Sequence, residues 1–178
     1  GSGRGADTAA WIGAAEAEAA NARGEDAFGA MIDADKCYDR VPLEDLAEAG
    51  AEEARLTRSE GLKALVGLAV EQYGGGRSVQ WGGAISEPRH PSGGMMAGCN
   101  LANGILHVYT KKSMVKVARE EAALRTYVDD WRLFAAGARR RAASGLVYSL
   151  RLAVAELEAK KFKVSRSKTV LMASGPSA

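Results

Sequence analysis

The sequence predicts an α+β fold, an antiparallel sheet with helices on one face, and three observations carry that reading. Apolar residues recur at helical spacing in separate stretches, as at Leu62, Leu65, Val66, Ala69, Val70 and Tyr73. Short alternating runs bracket tight turns at Gly82-Gly83 and at Asp129-Asp130. Strands and helices follow one another without the βαβ regularity of a parallel sheet.

Taken in order, Thr8 to Ala22 is an Ala-rich helix, with Asp7 as N-cap, Gly24 as stop, and Trp11, Ile12 and Ala15 on one face. Phe28-Gly29-Ala30-Met31-Ile32 is a short apolar run of the kind that forms a buried strand, and it ends at Asp33. Pro42 is placed to begin a helix through Leu43, Leu46 and Ala47. The pattern breaks at 55–58, and Ser59 caps a second helix whose stripe from Leu62 to Tyr73 is core, stopping at Gly74-Gly75-Gly76. Arg77 to Trp81 and Ala84 to Glu87 form a hairpin across Gly82-Gly83, closed off by Pro88 and Pro91. A helix from Asn100 buries Leu101, Ile105, Leu106 and Tyr109 and leaves His107 on its polar face. A second hairpin pairs Leu124 to Val128 with Trp131 to Phe134. A helix opening at Arg139-Arg140-Arg141 carries Leu146, Val147, Leu150, Val154 and Leu157 and ends near Lys160-Lys161, before a strand at 162–164. Those three arginines oppose the helix dipole, which suits a phosphate-facing turn as well as a solvated face.

At 178 residues the chain is one domain by size, with 47% apolar and 26% charged residues and a net charge of +2. Bulk charge therefore does not announce a nucleic-acid binder; the local clusters at Lys111-Lys112, Arg139 to Arg141 and Lys160 to Lys168 matter more. Cys37 and Cys99 are too few for a disulfide framework or a zinc site, which points to a reducing, intracellular compartment, without choosing between nucleus and cytoplasm. No apolar run reaches membrane-spanning length, so no membrane partner is expected.

The chemistry concentrates in carboxylates. A two-residue hairpin turn favours Asn-Gly or Gly-Gly, yet the second hairpin carries Asp129 and Asp130 side by side. Adjacent carboxylates beside a sheet repel and lose solvation unless a cation takes up the charge. A third arrives at the end of the first strand as Asp33. Together they make an oxygen-rich site for hard divalent ions, Mg²⁺ or Mn²⁺. Two such ions roughly 3.5–4 Å apart serve polymerase and nuclease chemistry.

The run Asp33-x-x-Lys36-Cys37-Tyr38-Asp39-x-Val41 resembles motif A of reverse transcriptases of the non-LTR (LINE-like) retrotransposon type, and Tyr127-Val128-Asp129-Asp130 resembles their motif C. Gly93 to Cys99 stands at the position of motif B, and Lys168-Thr169 matches the end of motif D. The resemblance implies a right-hand polymerase palm over 1–178, with a partial fingers helix at 1–27, motifs A to D over 28–178, and the thumb absent. It implies an RNA-directed DNA polymerase fragment using two-metal nucleotidyl transfer. Asp33, Asp129 and Asp130 would be metal ligands and catalytic residues, and the carbonyl of Ala34 would complete the shell. Lys168 would protonate or neutralise the departing pyrophosphate, and Tyr38 would lie against the nucleotide sugar. Gly94, Ala97, Gly98, Tyr127 and Arg4 fall at nucleotide- or substrate-contacting positions, and the implied partners are an RNA template, a DNA primer and deoxynucleoside triphosphates. Lacking thumb and front fingers, the isolated chain is expected to be inactive.

The sequence departs from that family at three places. Ala97 stands where Gln is usual, Lys161 where Gly is usual and Ser165 where Asn is usual. These departures keep a second reading open: a non-catalytic, decayed or domesticated palm serving as a nucleic-acid-binding or scaffold module.

Overall fold

The computed structural model describes residues 6–96, 99–127 and 130–175, with backbone alone for 6–10. The chain divides into two compact units. The first comprises 1–35, 112–159 and 163–178, and the second 36–111 with 160–162.

The first unit is built on β1 (Asp26–Ile32). Around it lie β5 (Ala123–Tyr127), β6 (Asp130–Gly137) and β8 (Val170–Ser174), in the order β5-β6-β1-β8. All neighbours are antiparallel. The alternation read from the sequence is physical here: Trp131, Leu133 and Ala135 of β6 are buried, and they stand opposite Ile32, Ala30 and Phe28 of β1. Helix α5 (Arg139–Ala159) packs against both strands and buries Ala142, Leu146, Ala153 and Leu157. Helix α1 (Ala6–Ala22) meets the sheet through Glu16, whose carboxylate accepts from Arg125 at 2.8 Å and lies 3.7 Å from Arg132. Its inward residues are Gly13 and Ala20. The predicted apolar face is therefore wrong, since Trp11 is 75% exposed and Ile12 and Ala15 also face water. A short pair joins β2 (Ala34–Asp35) to β7 (Lys163–Val164).

The second unit holds a 3₁₀ turn (Cys37–Arg40), α2 (Leu43–Thr57) and α3 (Glu60–Gly74). It also holds the hairpin β3 (Gln80–Trp81) and β4 (Ala84–Ile85), and most of α4 (Ala102–Val117). Pro42 directly precedes α2, and Arg58 ends it in a left-handed conformation, φ 52°. Ser59 caps α3 as predicted, its hydroxyl accepting from the Leu62 amide at 3.1 Å. Val66, Ala69 and Tyr73 of α3 are buried, whereas Leu65 of the predicted stripe is exposed. Leu101, also predicted to be buried, precedes the helix proper and is 37% exposed. The Gly82-Gly83 turn has φ of 55° and 87°, the pair of positive values that a tight hairpin turn demands. Among the described residues no helix is long and apolar enough to cross a membrane.

Candidate functional site

In the first unit, strand register governs the carboxylates. The β1–β6 ladder ends at Ile32↔Trp131, so one step further along stand Asp33 on one strand and Asp130 on the other. Neighbouring antiparallel strands run about 4.8 Å apart. Asp130 also pairs with Tyr127 in the β5–β6 ladder, and it is the first residue of the returning strand rather than part of the turn. Two carboxylate-bearing residues thus occupy adjacent strand ends, one half-buried and one exposed.

The segment after α5 is laced to the chain on both sides of Asp33. Before the turn, β7 pairs Val164 with Ala34 and Lys163 with Asp35. The Ser165 amide then donates to the carbonyl of Asp33 itself at 2.9 Å. After the turn, β8 pairs with β1 from Val170↔Met31 to Ser174↔Ala27. The turn between is closed on the Ser165 carbonyl, which accepts from the Thr169 amide at 2.9 Å and the Thr169 hydroxyl at 2.8 Å. A loop so short and so fixed at both ends has little choice of direction. It carries Lys168 to Asp33, with Nζ 3.6 Å from Oδ2. The sequence reading matched Lys168 to a motif but gave no reason for it to meet Asp33; the two flanking strand pairs are that reason.

That Oδ2 atom is buried and has no hydrogen-bond partner, the lysine being beyond hydrogen-bond distance. A carboxylate oxygen withdrawn from water and left without a donor is costly unless a cation meets it. Its environment therefore fits a hard cation. Among the described residues no set of three His, Cys, Asp or Glu side chains gathers around one point. Asp129, the third carboxylate of the expected set, lies outside the described residues, as do Ala97, Gly98 and Arg4.

Tyr38 and Gly94 belong to the second unit, where a different kind of scaffold holds them. The Met95 amide donates to the Tyr38 carbonyl and the Gly94 amide to the Val41 carbonyl, both at 2.8 Å. Gly94 has φ 89°, a conformation open to glycine and strained for other residues. The Arg77 guanidinium donates to the carbonyls of Gly94 (3.1 Å) and Tyr73 (2.8 Å), tying this strap to the end of α3. The Tyr38 hydroxyl donates to Oδ1 of Asn103, in the first turn of α4. Neither Arg77 nor Asn103 was singled out from the sequence for such a role.

Beneath the strap, Tyr73 is fully buried, and no hydrogen bond of good geometry reaches its hydroxyl. Burial, more than the neighbouring Cys99 thiol, pushes its pKa up to about 12. Cys99 itself is held below the ordinary thiol value, chiefly by the backbone N–H of Leu101. Tyr109 is raised by burial and then by Asp45, its hydroxyl donating to the Lys160 carbonyl at 2.9 Å.

The basic clusters are partly neutralised. Arg139 lies 3.1 Å from Asp26 and Arg141 3.8 Å from Glu121, so two of the three arginines opening α5 have carboxylate neighbours, which favours the solvated-face reading of that run. Lys111 pairs with Glu53 in the second unit. Lys161 has φ 67°, a conformation open to glycine and strained for a residue with a Cβ.

No family model matches the sequence, and no curated protein matches it. Solved structures do. Apo telomerase from Candida tropicalis, truncated from its C-terminal domain, aligns over 84% of this chain with a TM-score of 0.60 and 17% identity. Telomerase from Candida albicans, in complex with a TWJ fragment of telomeric RNA, aligns over 95% of this chain with a TM-score of 0.60 and 18% identity. The chain spans 31% of each of those proteins. The α+β palm of reverse-transcriptase-like enzymes is thus the fold of this chain, and at such identity the likeness speaks to fold alone.

Proposed function

We propose that this chain is the palm of an RNA-directed DNA polymerase, of the non-LTR retrotransposon type its motifs resemble. The observation that supports it best is the convergence at Asp33. The acid has an orphaned buried oxygen, Asp130 stands beside it in register, and a lysine is held against it by a laced turn. Nothing in packing a sheet requires these three residue types at one strand end.

Asp33, Asp129 and Asp130, with the Ala34 carbonyl, are the groups that would hold two Mg²⁺ or Mn²⁺ ions. Such ions supply activation of a primer 3′-hydroxyl and charge neutralisation on the leaving pyrophosphate. The remaining contributions are this chain's own. Backbone ladders fix both strand ends before any substrate arrives, so no reorganisation is needed as charge develops. Lys168 places its Nζ 3.6 Å from Asp33 Oδ2 and would carry positive charge to the leaving group once that oxygen binds a cation. Tyr38 presents an aromatic ring to the nucleotide sugar, excluding a 2′-hydroxyl by steric conflict, and Gly94 lets the backbone come close to a bound base pair. RNA template, DNA primer and deoxynucleoside triphosphates are the proposed partners.

One observation favours the second reading, a palm without catalysis: Lys168 partly compensates Asp33 without any metal. Primer extension on an RNA template separates the two, using the longest protein that carries this chain with its flanking regions. Asp33→Asn is expected to lower extension by at least ~10²–10³, the scale on which a preorganised electrostatic group acts, and to abolish Mn²⁺ binding measured by calorimetry. An inactive parent protein that folds and binds no metal would establish the scaffold reading.

A further inference from the structure

The Tyr38 ring is tethered at both ends. Its backbone carbonyl takes the Met95 amide at 2.8 Å, and its hydroxyl donates to Asn103. Between those points only two torsions remain free, and the hydroxyl bond closes them. Asn103 is well suited to be the anchor. It lies in the first turn of α4, whose helical ladder fixes its Cα, and its short side chain has few rotamers of its own. The two residues come together across 65 positions of sequence, so the contact is made by the fold and not by local chain geometry.

A steric gate is only as selective as it is stiff. A half-buried ring free to swing lets the larger sugar in at the cost of a rotamer change alone. A ring that must also break a hydrogen bond resists further. We infer that Asn103 is a determinant of sugar selection, acting as a positioning residue that locks the Tyr38 ring in its excluding orientation. The inference rests on the polymerase reading and extends it to a residue outside the motifs that suggested it.

The test compares kcat/KM for a deoxynucleoside triphosphate and its ribonucleotide counterpart on an RNA template, in the same flanked protein. One net hydrogen bond predicts that Asn103→Leu raises relative ribonucleotide use roughly three- to tenfold. Tyr38→Phe, which removes the donor and keeps the ring, is expected to do the same, and the double variant no more than either single one. Asn103→Asp keeps an acceptor oxygen and is expected to retain the parent preference. The change should come from a rise in ribonucleotide kcat/KM, whereas a purely structural role for Asn103 would depress both sugars together. Unchanged selectivity in Asn103→Leu and Tyr38→Phe, or equal losses for both sugars, overturns the inference and leaves the polymerase reading standing. A parent protein that uses neither sugar overturns both. If Asn103→Leu does not fold, Tyr38→Phe alone decides.

Discussion

The Asp33 strand end and the Tyr38–Gly94 strap are fastened in different ways. Around Asp33 almost every restraint is backbone to backbone: β6 on one side, β8 on the other, β7 beyond, and the Ser165 amide on the acid's own carbonyl. The strap has backbone bonds as well, but its link to α3 is one guanidinium and its link to α4 is one phenol–amide contact. Backbone ladders do not depend on side-chain identity. A carboxylate can therefore be removed at Asp33 with a loss of chemistry and little loss of fold, whereas the strap is open to tuning, and to damage, through single side chains.

Arg77→Met should expose this contrast most sharply. It leaves the Tyr73 and Gly94 carbonyls without their charged donor, worth about 1.5–3 kcal/mol for bonds to ionised groups. Urea denaturation should show that loss, with amide exchange accelerated at Gly94 and Met95. Asp33→Asn in the same assay should cost less, because every backbone ladder around it keeps both partners. Equal losses in the two variants would erase the distinction.

Alkaline titration probes the second unit from beneath. The folded pKa of Tyr73 is raised from 10.0 to about 12, so the folded state requires the neutral phenol while the unfolded chain releases its proton first. Stability is complete below pH 10 and declines as pH rises toward 12. Tyr73→Phe should flatten part of that decline in pH-dependent denaturation. Tyr109, raised chiefly by burial as well, contributes in the same direction.

The smallest effect concerns Lys161. Left-handed geometry costs a residue with a Cβ about 1–2 kcal/mol, and glycine's extra unfolded-state entropy returns part of it. Lys161→Gly should therefore stabilise the chain by roughly 0.5–1 kcal/mol in chemical denaturation. A destabilised variant would mean that the lysine's own contacts outweigh its backbone strain.

What the sequence revealed followed local rules. Ser59 as a cap, Gly82-Gly83 as a turn and the alternation of Trp131 to Phe134 each depend on near neighbours, and each is present. Strand β8 was not anticipated: Val170 to Ser174 is short, and its exposed Val170, Leu171 and Met172 give no alternation to read. The inward face of α1 was misread because Glu16, not Trp11, answers to Arg125 and Arg132, and nothing near Glu16 in the chain announces those partners. Asn103 was invisible for the same reason. Its meaning lies in a hydroxyl that only the folded chain brings to it.

Strand β1 sits between neighbours drawn from residues 131–137 and 170–174. A chain emerging from the ribosome therefore exposes Phe28 to Ile32 long before either neighbour exists. Non-local pairing of this kind is slow, and apolar segments left waiting for partners invite aggregation. Until β8 is made, the Lys168 turn has no second anchor and Asp33 no complete surround. A ribosome that stalls before Val170 therefore leaves β1 paired on one side only, with β6 in place and the strand that anchors the Lys168 turn missing.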